Sequence, residues 1–102
     1  MIHVIAVITA KPGQRDHILT HFRANVPAVR AEKGCIEYGA ATDADTRLSI
    51  QTQWGPDTFL VIEKWESLEA LKAHAAAPHM AAYAGKTKEF IANRQIYILN
   101  PA

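Results

Sequence analysis

A chain of 102 residues has room for one hydrophobic core and one domain, and too little for two. Its 49% hydrophobic and 21% charged content describes a folded soluble protein, and a formal charge of +1 with scattered Lys and Arg leaves no basic stripe for nucleic acid. The longest apolar runs, such as Phe59-Leu60-Val61-Ile62, are too short to cross a bilayer; one cysteine, Cys35, precludes an internal disulfide and fits a reducing cytoplasm.

The chain enters a strand pattern at once, with no basic leader region, so a secretory signal is not expected. Ile2 to Thr9 is rich in β-branched residues and reads as a strand, ended by Lys11-Pro12-Gly13. From Gln14 to about Lys33 the apolar positions Ile18, Leu19, Phe22, Val26 and Val29 share one helical face. Pro27 lies inside this pattern and removes a donor, but it projects to the polar side, where water can serve the freed carbonyl. Gly34 is a helix-stop signal.

Cys35 to Thr42 reads as a second strand, Asp43 to Thr46 as a turn, and the loose alternation of Arg47 to Trp54 as a third strand. Gly55-Pro56-Asp57 is a turn, and Thr58 to Glu66 is the strongest strand in the chain. Ser67 is a suitable N-cap for a helix from Leu68 to about Ala76. Pro78 suits the first turn of another helix running to about Asn93, and Gln95 to Leu99 is a last strand closed by Asn100-Pro101.

The order is β-α-β-β-α-β with one extra strand or a broken helix. It predicts an α+β chain with a ferredoxin-like split β-α-β plan and an antiparallel sheet, in a single domain spanning 1–102. Both faces of the first strand are apolar: Ile2, Val4, Ala6 and Ile8 on one, Ile5 and Val7 on the other. Helices cover only one face of such a sheet, and a second face left to water would alternate with polar residues. A second copy is the simplest cover, so a homodimer is expected, with residues 94–102 at its joint and the core in about 2–93.

Glu63 and Trp65 share their strand face with Phe59 and Val61. A carboxylate there carries a desolvation cost unless it is paired or hydrogen-bonded, the ordinary solution being a Lys or Arg on the rim. His74 and His79 flank the apolar stripes of the two helices that follow. Many histidines at helix boundaries only satisfy backbone groups, yet a neutral imidazole near a pocket can accept and return a proton. His17 and His21 have an i, i+4 spacing but no third ligand, and no paired cysteines, phosphate loop or dinucleotide fingerprint is present. No metal site and no bound cofactor are expected.

The segments Pro12-Gly13, Val26-Pro27, Glu32-Lys33-Gly34-Cys35 with Tyr38, Ile62 to Ser67, Ala73-His74, Pro78 to Tyr83 and Ile98 to Pro101 carry a family resemblance in order along nearly the whole chain. The sequence resembles the antibiotic-biosynthesis-monooxygenase (ABM) family of dimeric α+β barrels, and most closely its small bacterial quinol monooxygenases. The asparagine, tryptophan and histidine of the haem-degrading branch are not matched at the aligned positions, approximately Ala6, His74 and Ala84. The resemblance implies a homodimer with facing sheets, and oxidation of a small hydroquinone or polyphenol by molecular oxygen without metal or flavin. On that expectation His74 is the base, Glu63 its orienting partner and His79 a second donor to developing negative charge. Trp65, Tyr83, Phe22 and Met80 would wall the pocket and stack on the substrate ring. An enolising isomerase of a small phosphorylated keto compound could use the same base and carboxylate, and a non-catalytic dimer could simply bind a hydrophobic metabolite.

Overall fold

The computed structural model describes all of residues 1–102. Its elements are β1 (Ile2–Ala10), α1 (Arg15–Arg30), β2 (Cys35–Ala41), β3 (Thr58–Trp65), α2 (Leu68–Ala75), α3 (Pro78–Thr87), a 3-10 turn at Lys88–Phe90 and β4 (Ile91–Leu99). The four strands form one antiparallel sheet in the order β2-β3-β1-β4. β1 and β2 are split by β3, which is the ferredoxin-like plan, and the break in the second helix separates α2 from α3.

Strand alternation sorts the sheet into two faces. Val4, Ala6, Ile8 and Ala10 of β1, with Phe59, Val61 and Trp65 of β3, are buried under the helices together with Ile18, Leu19, Phe22 and Val29 of α1. Phe59 is 0% exposed, and burying such a side chain contributes about 1.5–3 kcal/mol. Ile5, Leu60, Ile62, Tyr97 and Leu99 occupy the other face, where no helix packs, and Tyr97 and Leu99 are exposed.

Two of the expected elements differ. Residues 47–54 are not a strand: the chain between β2 and β3 closes on itself through side chains. Asp43 accepts from the backbone N–H groups of Trp54 (2.9 Å) and Gly55 (2.8 Å), which hold its carboxyl below the usual range, and Gln51 donates to the Ala44 carbonyl at 2.7 Å. The backbone needs that a ladder would have met are met locally. Leu48, Ile50 and Trp54 are left exposed.

The helix starting at Pro78 stops at Thr87 rather than near Asn93, and β4 starts at Ile91 rather than Gln95. No Gly or Pro marks that stop. Pairing of Ile91, Asn93 and Arg94 with Ala10, Thr9 and Ile8 overrides helix propensity, with a bulge at Ala92 of β4, opposite Thr9 and Ala10, absorbing the offset.

α1 runs through the exposed Pro27 and ends at Arg30, a turn before the expected limit. Gly34 then takes a left-handed conformation (φ +85°), and a Cβ there would lie 2.6 Å from that of Ala70. Its carbonyl accepts from the Glu66 N–H at 2.8 Å. Only glycine permits this approach, which fastens the turn after α1 against the start of α2.

Candidate active site

β3 delivers the first two groups. Its alternation turns Glu63 and Trp65 toward the helices, and the Trp65 indole N–H donates to Glu63 Oε1 at 2.9 Å. Glu63 therefore has no Lys or Arg on the rim; the indole beside it partly relieves its burial. Ser67 accepts from the Ala70 N–H at 3.1 Å and so starts α2, whose last turn carries His74 back over the sheet. The imidazole packs on Trp65 at a 34° tilt with ring centroids 4.6 Å apart and meets Tyr38 edge-on at 5.5 Å. It is 5% exposed, so it is enclosed rather than placed on a wet flank.

The closest partner of His74 is a residue to which the sequence reading gave no role. Glu32, in the turn fixed by Gly34, accepts from His74 Nδ1 at 2.8 Å and from His79 Nε2 at 2.8 Å through the same oxygen, Oε2. A carboxylate can only accept, so both imidazoles donate to it. The Nδ1–H tautomer of His74 leaves the Nε2 lone pair free, and that atom lies 3.9 Å from Glu63 Oε1. The gap is too long for a hydrogen bond and suits an oxygen seated between the two. Glu32, not Glu63, orients the imidazole. The segment Glu32-Lys33-Gly34-Cys35 was visible in the sequence; that it folds back onto α2 and α3 was not.

A cavity of about 660 Å³ lies between the sheet and the helices, with fifteen of its twenty lining residues hydrophobic. Phe22, Met80 and Tyr83 line it together with Glu63 and His74. Trp65 does not: it is fully buried behind His74 and supports it from below. His79 is also absent from the wall and sits on the far side of Glu32, which separates it from anything bound near Nε2. Burial pushes the Tyr83 phenol up to about 12, opposed by the charge of Arg94, and raises Tyr38 further, so both are neutral donors at ordinary pH. A smaller cleft of about 400 Å³ between α1 and β2 contains no acid–base pair.

Burial raises the Glu63 pKa above its ordinary 4.5, while the Trp65 hydrogen bond and His74 pull it down by less. The folded state then holds this proton more tightly than the unfolded chain does. Stability contributed by the protonated carboxyl is complete below 4.5 and is lost as pH rises through the raised value. Glu63→Gln, which can still accept from Trp65, is expected to flatten that decline in denaturant titrations at stepped pH. An unchanged slope would show that Glu63 binds its proton equally in the folded and the unfolded chain.

The family model described as antibiotic biosynthesis monooxygenase matches residues 1–86. Among curated relatives, "Probable quinol monooxygenase YgiN" of Escherichia coli (strain K12) is 40% identical over 103 aligned positions, covering 99% of this chain and 98% of that protein. YcnE of Bacillus subtilis (strain 168) is 30% identical over 91 positions, covering 89% and 86%. The crystal structure of PA3566 from Pseudomonas aeruginosa superposes with a TM-score of 0.81 at 28% identity, covering 99% of this chain and 93% of that one. No helix is long and apolar enough to cross a membrane.

Proposed function

Because the chain belongs to the antibiotic biosynthesis monooxygenase family, we propose that it is a cofactor-independent monooxygenase that oxidises a small hydroquinone or polyphenol with molecular oxygen. The observation that carries this reading is the buried His74 imidazole in the wall of a largely apolar cavity, its Nε2 on the Glu63 side while Glu32 holds the opposite nitrogen. Ground-state oxygen is a triplet and reacts poorly with closed-shell organic molecules, but a hydroquinone anion can pass it one electron. The protein's task is then to make that anion in a dry site and to keep water from its intermediates.

The reacting hydroxyl sits between His74 Nε2 and Glu63 and gives its proton to His74. The imidazolium is stabilised by Glu32 directly and by the Trp65 face beneath it. The anion transfers one electron to oxygen; the radical pair combines to form a ring carbon–oxygen bond, giving a peroxide. His74 returns its proton to that peroxide. Loss of water, using the ring C–H proton and the distal oxygen, leaves a hydroxyquinone: one oxygen atom enters the product and the other leaves as water. Glu63 and the neutral Tyr83 are the polar groups placed to hold the substrate oxygens, while Phe22 and Met80 pack on the ring. His79, on the outer side of Glu32, acts through that carboxylate rather than on the substrate. Oxygen uptake over a panel of hydroquinones tests the reading, and an enzyme that only enolises or sequesters its ligand consumes none.

We further propose that the functional unit is a homodimer joined through the helix-free sheet face. Its apolar row of Ile5, Leu60, Ile62, Tyr97 and Leu99, with β4 at the edge, is the surface a second copy would cover. An obligate interface of this kind buries on the order of 2,000 Å² or more. Light scattering at micromolar concentration is expected to give twice the chain mass; a monomer there would remove the dimer from the account.

A further inference from the structure

We propose that the cavity has an anion subsite, formed by Arg94 and Lys88 at the end opposite His74, and that the substrate is a hydroquinone carrying an anionic group on a short chain. The proposal rests on the hydroquinone reading above and narrows it to a substrate class.

The register of β4 places Arg94 on the cavity side of the sheet. With the strand starting at Ile91, residues 94, 96 and 98 pair with Ile8, Ala6 and Val4 and share the helix-covered face. Arg94, Ile96 and Ile98 accordingly all line the cavity, so strand register aims the arginine into the pocket rather than away from it. Lys88, in the 3-10 turn, lines the same end. Neither cation makes a salt bridge or a side-chain hydrogen bond. The only carboxylate in the wall is Glu63, and it lies at the other end: Glu63 pairs with Val4, Arg94 with Ile8. Four residues of strand separate those levels by about 13 Å. The Arg94 charge is nevertheless felt at the Tyr83 phenol in the middle of the cavity.

The resulting pocket is polarised along its length. One end holds the base and the buried Glu63 carboxyl, the middle is apolar, and the far end holds two unpaired cations. A ring seated against His74 with a chain of three or four atoms toward β4 brings a terminal carboxylate or phosphate to Arg94. The planar guanidinium suits either anion through paired hydrogen bonds. A neutral alkyl tail would leave both exposed cations to solvent.

Calorimetric binding under anaerobic conditions tests this without turnover, using the whole protein. The probes are a hydroquinone carrying a butanoate chain, the same ring with a propyl phosphate chain, and the butanoate methyl ester. The acid or the phosphate is expected to bind about 10-fold or more tightly than the ester, the scale of a charge-assisted hydrogen bond, and whichever is tighter identifies the anion. The preference should shrink with added salt, disappear in Arg94→Gln and return in part in Arg94→Lys. Lys88→Gln should weaken it by a smaller factor, since a lysine offers no paired geometry. Equal binding of anion and ester by the wild-type protein, or a preference that survives in the Arg94→Gln, Lys88→Gln double variant, would overturn the subsite. Failure of the monooxygenase reading looks different: anion preference intact, and no oxygen uptake with any of the three compounds.

Discussion

His74→Ala is expected to lower hydroquinone turnover by roughly 10²-fold or more, the usual scale for a positioned general base. The loss follows from where the lone pair points. Glu32 fixes the proton on Nδ1, so Nε2 carries the only imidazole lone pair in the cavity wall, Lys88 and Arg94 lying at the far end. Removing the ring leaves Glu32 hydrogen-bonded to His79 and uncovers one face of Trp65, so a stability loss of about 1–3 kcal/mol accompanies the substitution. Circular dichroism and a thermal melt separate that loss from the chemistry. The rate deficit should narrow for substrates already ionised in solution, because they need no help in losing the proton. Steady-state rates across a pH series provide the check. Equal activity of wild type and His74→Ala at every pH would leave Glu63 or solvent as the proton acceptor.

Glu32→Gln should be nearly as damaging, although Glu32 touches no substrate. The carboxamide oxygen keeps two lone pairs and can still receive both N–H groups, but the variant loses the negative charge that stabilises the His74 imidazolium and gains an N–H₂ that competes for the same position. Where its N–H₂ faces His74, the ring turns its lone pair to Nδ1 and places the proton on Nε2, and the base is lost with the fold intact. We expect turnover to fall by roughly 10²-fold with KM changed much less, since the defect concerns proton transfer rather than binding. Glu32→Asp keeps an accept-only group and should recover part of the rate. Nitrogen chemical shifts of the imidazoles report the tautomer directly. A variant whose His74 keeps its proton on Nδ1 and whose rate is unchanged would reduce Glu32 to a structural contact.

The parts of this fold that were legible in the sequence are those written in local pattern. Alternation in Ile2 to Thr9 and Thr58 to Glu66, the Ser67 cap and the α1 stripe each specify an element without help from the rest of the chain. Two stretches depart from their local pattern, because tertiary pairing or side-chain hydrogen bonding decides the backbone there. Residues 47–54 carry enough apolar alternation to resemble a strand, yet Asp43 and Gln51 serve their loop instead of a ladder. Residues 88–94 carry no stop signal, and only the partner strand β1 reveals that they leave the helix.

The candidate site divides in the same way. Glu63 and Trp65 share a face by strand parity, and His74 follows from the capped helix, so all three could be placed together in advance. Glu32 could not: its role arises from the left-handed Gly34, whose contact with Ala70 brings the turn after α1 onto α2. Arg94 was hidden for a related reason, because the position of an arginine on a strand depends on where the strand begins.

Oxidation of a hydroquinone under isotopically labelled dioxygen, followed by mass spectrometry of the product and assay of peroxide, separates oxygen insertion from simple electron removal. The mechanism requires a hydroxyquinone carrying one labelled oxygen atom, with one dioxygen consumed per substrate and no hydrogen peroxide released. An unlabelled quinone formed with an equivalent of hydrogen peroxide would contradict it, since the protein would then be removing electrons from the ring without inserting oxygen.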